Sequence, residues 1–215
     1  MMDSVDVRVL RSRRKLFDAV LRLAAQRPIE SVSVADLARE AGLNRATFYK
    51  HATSPAHALE QALVGELDAV RAEFAARAAD RGRSLAEVWD GGTRALLDYV
   101  ARHNAVFTTG LLHEGCSPVL TLLLSGHVTT SIADLLERRP TLVPDTAPRD
   151  EQALAAYSRF VGLGVIGVLQ TWLESPPPRD ADAVVRILLN ILPPWLLHPA
   201  DAQTTETTRN AEQTP

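Results

Sequence analysis

Apolar residues recur three or four positions apart along most of the chain, a spacing that predicts helices and offers no alternating strand. A first helix covers residues 16–24, two short helices lie within 33–51, and a long helix follows over 55–81. Proline-rich stretches at 140–149 and 175–178 indicate loops, because proline cannot continue a helix. The fold class is therefore predicted to be all-α. The remaining predicted helices are 85–102, 105–112, 118–138, 150–174 and 180–197.

The two short helices are joined by a tight turn and form the most informative segment of the chain. Ser33 is placed to cap the first of them, and Gly42 can adopt the left-handed conformation that ends it. Asn44 is a favourable N-cap for the second helix, and Phe48 is predicted to pack beneath it. The second helix then turns a polar face outward, as helix-turn-helix proteins do when they place side chains in the major groove of DNA. The outward residues are Arg45, Thr47, Tyr49, Lys50 and His51.

From Arg13 to Leu59 the chain resembles the tetracycline-repressor (TetR) family of one-component regulators. The recognition helix of that family has a small residue, Thr or Ser, an apolar residue, Tyr, any residue, and then His or Tyr. Residues 46–51 fit this pattern. The resemblance implies an N-terminal three-helix domain containing the helix-turn-helix, followed by a larger helical domain for ligand binding and dimerisation.

The same resemblance implies roles for individual side chains. Thr47, Tyr49 and His51 are expected to contact phosphates or nearby bases. Arg45 and Lys50 are expected to read bases, and Ser33 to touch a phosphate. The predicted DNA-binding residues are Ser33, Asn44, Arg45, Thr47, Tyr49, Lys50 and His51.

Three positions depart from the family pattern. The family has an aromatic residue at the position of Ala52, Lys at that of Pro55 and Gly at that of Pro28. Pro55 removes a phosphate-contacting cation, although proline is favoured at the first position of a helix, here after the cap Ser54. These departures leave an alternative open: a small-molecule binding protein of the same fold whose DNA binding is weakened or lost.

The distribution of charge favours DNA binding by the N-terminal part. The whole chain carries −3, but residues 1–60 hold ten Lys or Arg and seven Asp or Glu, a net charge of +3. A basic small domain on an acidic body is the polarity expected of a protein that orients itself on DNA. The basic cluster Arg8–Lys15 is either an arm that reaches phosphates or the minor groove, or the solvated start of the first helix.

The last two predicted helices have broad apolar surfaces. Residues 160–173 are apolar nearly all round, and their glycines suit the close approach of another backbone. We expect these helices to pair with their copies in a second subunit, which the resemblance also implies; a central core helix in a monomer is the alternative. Two-fold symmetry places two recognition helices in successive major grooves of a palindromic operator, about 34–36 Å apart. The predicted interface residues are Gly162, Gly164, Gly167, Trp172, Val184, Ile187, Leu188 and Ile191.

The resemblance further implies a small-molecule site between the middle helices. Such a pocket needs apolar walls with a few polar tips. The body of the chain has few clustered charges of one sign, which favours a hydrophobic or weakly polar ligand. The candidate ligand-binding residues are Trp89, Tyr99, His103, Phe107, Leu111, His113, Cys116, His127, Tyr157 and Phe160.

The segment His113–Cys116 raises two further possibilities, a metal site and a Cys–His nucleophile pair. A metal site needs three or four converging ligands, and nothing in the spacing brings His103 or His127 to this segment. The sequence has no phosphate-binding glycine loop, metalloprotease helix motif or nucleophile elbow. We therefore predict no metal, no cofactor and no enzyme activity, with a helical enzyme at His113–Cys116 as the remaining alternative.

These observations predict a domain organisation and a function. Residues 1–60 form the helix-turn-helix domain, 61–198 a helical ligand-binding and dimerisation domain, and 199–215 a disordered tail. A single cysteine, an N-terminus without a secretory signal and the lack of an apolar run long enough for a membrane span indicate a cytoplasmic protein. The leading hypothesis is a homodimeric repressor that binds double-stranded DNA at a palindromic operator and is released by a small hydrophobic molecule.

Overall fold

The computed structural model describes residues 4–112 and 116–197, with side chains described from Val7 onward. Within these ranges the chain forms nine α-helices and no β-strand, so the predicted all-α class is confirmed. Short 3-10 turns occur at Ile29–Ser31, Pro140–Leu142 and Pro194–Leu196. The helices are α1 (Ser4–Ala24), α2 (Val34–Ala41), α3 (Arg45–Tyr49), α4 (Pro55–Ala79), α5 (Leu85–Arg102), α6 (Asn104–Leu112), α7 (Pro118–Arg138), α8 (Glu151–Glu174) and α9 (Ala181–Ile191).

Polar side chains cap the starts of three of the longer helices. Before α5, the Glu87 N–H donates to Ser84 Oγ at 3.2 Å and the Ser84 N–H donates to Glu87 Oε2 at 2.8 Å, a reciprocal capping box. Asp150 and Asp180 each accept a backbone N–H at 2.9 Å and cap α8 and α9. Because these caps are local, the predicted starts of these three helices agree with the structure to within one residue.

Two helix ends differ from the prediction. Helix α1 begins at Ser4, well before the predicted start at residue 16, so the basic segment that precedes the apolar stripe is itself helical. Helix α9 ends at Ile191 instead of residue 197, because Pro193 and Pro194 cannot continue it. The predicted disordered tail, 199–215, lies outside the described residues.

Packing divides the chain into two units. The first comprises Met1–Leu67 and Tyr99–Leu123, and the second comprises Asp68–Asp98 and Leu124–Pro215. The divisions fall inside α4, α5 and α7, so each of these helices contributes to both units. The division into functional domains at residue 60 stays a prediction.

Tyr99 is the centre of the aromatic core of the first unit. Its hydroxyl donates to the carbonyl oxygen of Leu63 at 3.2 Å. Its ring meets those of Phe107 and His103 edge-on, with centroids 5.6 and 5.3 Å apart. Burial raises the pKa of the Tyr99 phenol, which therefore stays protonated and keeps its role as a donor. This cluster joins α4, α5 and α6 within the unit.

In the second unit α7 and α8 approach each other closely at Gly162. A Cβ added to Gly162 would lie 2.8 Å from the carbonyl oxygen of Ser125 and closer still to the hydroxyl of Thr129. Only glycine fits there without a shift of the backbone. After α7, the buried Arg139 guanidinium donates to the carbonyl of Ala78 near the end of α4, which satisfies a C-terminal carbonyl of that helix.

Helices α7 and α8 are each long and apolar enough to cross a membrane by length and composition. Their mean hydropathy reaches 1.5 and 1.4 over the most apolar window, of which 50% and 33% is buried inside the protein. The core helix of a soluble protein meets the same criterion, and two such helices are weak support for a membrane protein. The packing of α7 against α8 at Gly162 is the behaviour of core helices.

Candidate nucleic-acid interface and internal cavity

The turn between α2 and α3 is built on Gly42. This residue has φ 63° and ψ 36°, the left-handed conformation that residues with a side chain disfavour. The Leu43 N–H donates to the Ala38 carbonyl at 2.9 Å and the Gly42 N–H to the Arg39 carbonyl at 3.1 Å, the paired bonds of a Schellman motif. Gly42 therefore ends α2 and turns the chain into α3, as the sequence predicts.

Helix α3 is short and is fixed from two sides. Asn44 Oδ1 accepts the backbone N–H of Thr47 at 2.8 Å, which confirms the predicted N-cap. Phe48 is fully buried beneath the helix and meets the ring of Tyr49 edge-on, with centroids 5.2 Å apart. Lys50 and the residue after it follow the helix in a turn. The cap and the buried ring together hold the polar face of α3 outward.

That polar face carries the side chains predicted to meet DNA. Arg45, Tyr49 and Lys50 are exposed, and 58% of Tyr49 is accessible despite its aromatic ring. Thr47 and His51 are half-buried. In the part of the chain that the structure describes, neither Arg45 nor Lys50 has an ion-pair or hydrogen-bond partner. Two unpaired cations and a phenol on one short helix suit contacts with phosphates and base edges.

His51 joins the end of the α3 segment to α1. Its Nε2 lies 2.7 Å from Ser12 Oγ. Partial burial, together with the positive charges of Arg13 and Lys50, lowers the pKa of His51 below its ordinary value. The ring is therefore neutral at neutral pH, and Ser12 and Arg13 lie beside the recognition element. Local sequence gives no signal for this contact, since 39 positions separate its two partners.

Ser33 caps α2 through a pair of hydrogen bonds with Asp36. Its Oγ accepts the Asp36 N–H at 3.0 Å and donates to Asp36 Oδ2 at 2.9 Å. The Ser33 hydroxyl, followed by the guanidinium groups of Arg39 and Arg27, lowers the pKa of Asp36. The hydroxyl is thus engaged within the protein, and its contact with a phosphate stays a prediction.

The start of α4 follows α3 closely and is also capped as predicted. Pro55 is the first helical residue, and the His57 N–H donates to Ser54 Oγ at 3.1 Å. The Thr53 N–H donates to His57 Nδ1 at 3.1 Å, so this ring nitrogen acts as an acceptor. The positive end of the α4 dipole therefore lies where the family places a phosphate-contacting Lys.

The basic cluster Arg8–Lys15 lies within α1. This helical backbone supports the interpretation of the cluster as the start of the first helix, and contact of its side chains with phosphates or the minor groove stays a prediction. All five cations of the cluster are exposed, and the Arg13 guanidinium lies over the Phe17 ring at 5.0 Å from its centroid. The cluster adds positive charge to the unit that contains α3.

The second unit encloses a cavity with an almost entirely apolar wall. Its empty volume is about 550 Å³, part of which is open to solvent. Helices α4, α5, α7, α8 and α9 contribute to the wall, and its lining residues include no Lys, Arg, Asp or Glu. Phe74 and Trp89 supply aromatic surface, and the polar side chains are those of Thr93, His127 and Ser131. Apolar walls with a few polar groups are typical of small-molecule sites.

Of the predicted ligand-binding residues, Trp89 and His127 line this cavity. Four others belong to the first unit, where they form its core or its edge, and the cavity lends no support to their assignment as ligand contacts. These four are Tyr99, His103, Phe107 and Leu111. Their aromatic and apolar character reflects packing around the Tyr99 ring.

The remaining ligand candidates also lie away from the cavity wall. Tyr157 donates its hydroxyl to the Pro148 carbonyl at 3.2 Å, and Phe160 is 72% exposed, which removes both from the cavity lining. Cys116 Sγ lies 3.2 Å from Thr121 Oγ1. His113 lies outside the described residues.

No group of three His, Cys, Asp or Glu side chains that could hold a metal is found within the described ranges.

The predicted interface residues divide into an inward set and an outward set. Gly162, Trp172, Val184 and Leu188 are buried in the second unit, where Gly162 packs on α7 and the two aliphatic residues line the cavity. We correct their assignment, because they serve the core of their own chain. Gly164, Gly167, Ile187 and Ile191 are exposed, together with Phe160 and Leu163. These six outward residues are called the α8–α9 apolar face below.

A capped helix-turn-helix with an exposed polar second helix and a basic α1, in an all-α chain, defines a helical DNA-binding protein. Residues 16–55 match the family model for the bacterial regulatory proteins of the tetR family. The match covers the helix-turn-helix, so this segment is similar to the DNA-binding part of the TetR family of transcriptional regulators. No curated protein sequence matches the chain.

Solved structures share the fold over most of the chain. A TetR transcriptional regulator from Streptococcus agalactiae superposes with a TM-score of 0.61 at 16% identity, covering 86% of this chain and 96% of that one. The fatty acid degradation regulator FadR from Bacillus halodurans gives 0.61 at 12% identity, with 86% and 94% covered. FadR of Thermus thermophilus, a TetR-family repressor in complex with lauroyl-CoA, gives 0.59 at 20% identity, with 83% and 92% covered. At these identities the likeness shows the fold alone.

Proposed function

We propose that this protein is a homodimeric, cytoplasmic repressor that binds a palindromic operator and releases it when a small molecule occupies the cavity of the second unit. The observation that carries the proposal is the outward face of α3, where Arg45 and Lys50 are exposed and unpaired within the described chain. Exposed cations on a capped second helix have no evident structural role, whereas they match the needs of groove recognition.

We assign a DNA contact in the proposed complex to the polar side chains of α3 and its N-cap. Arg45 and Lys50 read base edges, and Tyr49 and Thr47 meet the phosphate backbone. Asn44 uses its side-chain oxygen for the cap, which leaves its amide N–H groups for a phosphate or a base.

The α8–α9 apolar face supports the proposed dimer. On α8 its members follow the spacing i, i+3, i+4 and i+7, which places Phe160, Leu163, Gly164 and Gly167 on one stripe. Glycines beside large apolar side chains allow a second helix to approach closely. A second copy of the chain is the occupant that also supplies the two-fold symmetry of a palindromic site.

The cavity supports the proposed response to a small molecule. The ligand releases DNA only if it binds the DNA-free conformation more tightly than the DNA-bound one, since an equal affinity shifts nothing. The lauroyl-CoA bound by the Thermus relative combines a hydrocarbon chain with phosphates. The wall of the cavity in this protein suits the hydrocarbon part, but its lining residues offer no cation for the phosphates.

Selection of bound duplexes from a random DNA pool by the full-length protein tests the proposal. We expect enrichment of a two-fold symmetric motif whose half-sites lie about one helical turn, 34–36 Å, apart. Enrichment of an asymmetric single half-site contradicts the dimeric reading. Uniformly weak binding with no enriched motif favours the alternative, a small-molecule binding protein of the same fold that has lost DNA recognition. The departures from the family pattern at Ala52 and Pro55 are the reason for considering this alternative.

A further inference from the structure

Two polar side chains in the wall of the cavity have no hydrogen-bond partner in the part of the chain that the structure describes. His127, on α7, is 8% exposed and lines the cavity, yet neither ring nitrogen has a hydrogen-bond partner among the described residues. The hydroxyl of Thr93, on α5, lines the same cavity and also has no described partner. The third polar residue, Ser131, differs, because its hydroxyl donates to the His127 carbonyl at 2.9 Å.

The polar atoms of His127 and Thr93 are accessible from the cavity. The fully buried side-chain atoms without a partner among the described residues belong instead to Arg77, Arg139 and Trp172. Apolar residues fill the neighbouring positions of α7, as Val128 and Ile132 do. A His at this position is explained if a bound molecule completes its hydrogen bonds.

The charge state of His127 restricts what that molecule can be. Burial, reinforced by the positive charge of Arg71 and opposed by Asp68, lowers the pKa of His127 to about 4. The ring is therefore neutral at neutral pH and offers one N–H donor and one lone-pair acceptor. Charged groups are absent from the residues that line the cavity. A carboxylate or an ammonium would lose its hydration there without gaining a counter-charge.

We infer that the cavity selects a neutral, mainly apolar molecule with a single hydroxyl or carbonyl group, which hydrogen-bonds to His127 with Thr93 as a second polar contact. The inference rests on the proposed function, which places the effector in this cavity, and adds the chemical class of that effector. An alcohol or a phenol can accept from the imidazole N–H or donate to the other ring nitrogen, and a ketone or an ester can only accept from the N–H.

Calorimetric titration of the full chain at neutral pH with four probes that share an octyl skeleton tests the inference. The probes are 1-octanol, 2-octanone, octanoate and octylammonium. We expect the two neutral probes to bind at least tenfold more tightly than the two ions. Octanoate or octylammonium binding as tightly as 1-octanol overturns the inference, and so does the failure of both neutral probes to bind.

Two variants and one matched control locate the contact. His127→Leu is expected to weaken 1-octanol binding about 3- to 10-fold, as for the loss of one hydrogen bond, and Thr93→Val to weaken it less. His103→Gln, which changes a histidine of the first unit, leaves binding unchanged. A second measurement uses the wild-type protein and therefore does not depend on a variant that folds. In NMR spectra, 1-octanol is expected to shift the imidazole nitrogen resonances of His127. Unchanged resonances, or equal affinity in His127→Leu, contradict the contact.

Release of the selected DNA by the same probes is measured in a separate experiment. The proposed regulator and the inferred ligand class can then be tested independently of each other. Neutral probes that bind at His127 in a protein that selects no DNA motif contradict the proposed regulator and support the ligand class. A symmetric DNA motif in a protein that binds none of the neutral probes supports the regulator and overturns the ligand class.

Discussion

In both candidate sites, the hydrogen bonding and the protonation of individual side chains are set by the groups that surround them. Asn44 gives its oxygen to the cap of α3. His51 is held by Ser12 and kept neutral by partial burial and neighbouring cations. His127 is kept neutral by the apolar wall of the cavity. The properties of these residues therefore follow from their environment and not from their type alone.

Tyr49→Phe is expected to weaken DNA binding about 3- to 10-fold at every sequence, because a phosphate contact carries no base information. Stability should not change, since the Tyr49 hydroxyl has no hydrogen-bond partner within the described chain. Fluorescence anisotropy with the selected site and its single-base variants measures the effect. Tyr157→Phe, whose hydroxyl bonds within the second unit, is the control. A change of preference at one base position in Tyr49→Phe shows instead that the hydroxyl reads a base.

His127 is expected to make the folded protein less stable as the pH falls. Its pKa is lowered from an ordinary value of 6.5 to about 4, so between these values the unfolded chain binds a proton that the folded chain does not. Stability is thus lost as the pH falls through this window. In His127→Leu the loss of unfolding free energy between pH 7 and pH 4 should be smaller by about 3 kcal/mol, because the pKa differs by about 2.5 units between the folded and the unfolded chain.

Denaturant unfolding across this pH range checks the prediction for His127. The charged groups that act on the ring are Arg71 and Asp68 of α4, and the cavity lining adds none. His103→Gln, altered in the other unit, keeps the slope of the wild type. The same pH slope in His127→Leu and the wild type shows that His127 is not buried in its neutral form.

Most of the helix starts and the outward face of α3 follow from local rules, and could therefore be predicted. The caps Ser84, Asp150 and Asp180 and the turn at Gly42 act within a few residues of themselves. Which side of α8 faces the core of the protein could not be predicted from the sequence. Gly162 and Gly164 look alike in sequence, but the first packs on α7 and the second faces outward. That choice depends on the position of another helix.

The conformation of Gly42 sets the geometry of the helix-turn-helix, and a pair of substitutions isolates its contribution. Gly42→Ala should destabilise the protein by about 1–2 kcal/mol because of its left-handed φ of 63°. The site is open, so no clash contributes. Gly65→Ala, at an equally open site inside α4, should stabilise it by about 0.5–1 kcal/mol. Denaturant unfolding measures both, and effects of the same sign contradict the assignment of Gly42.

Among the described residues, four exposed large apolar side chains, those of Phe160, Leu163, Ile187 and Ile191, lie on the α8–α9 apolar face, and α3 turns a polar face outward. Exposed apolar patches of this kind mark association sites. In the proposed dimer, pairing through this face presents two copies of α3 to a two-fold symmetric DNA site. Two features could not be predicted from the sequence and are shown only by the tertiary structure. One is the contact between Ser12 and His51, and the other is the distribution of the predicted ligand-binding residues over two units.

Leu163→Glu is expected to convert the proposed dimer into monomers, because it places a charge in the α8–α9 apolar face. Binding to the full operator should then fall on the order of 100-fold, since two linked half-site contacts become separate events. Sedimentation velocity and anisotropy measure the two effects. Leu122→Glu is the matched control, because Leu122 is at least as exposed as Leu163 and lies outside this face. A dimeric Leu163→Glu variant places the subunit interface elsewhere.

The most direct test of the central claim is DNA selection repeated with Arg45→Ala and Lys50→Ala. If α3 reads bases, each variant loses preference at one position in both half-sites, at about 1–3 kcal/mol per contact. The control Arg102→Ala removes an exposed arginine of α5 in the same unit and should select the wild-type motif. An unchanged motif in both α3 variants contradicts recognition by this helix.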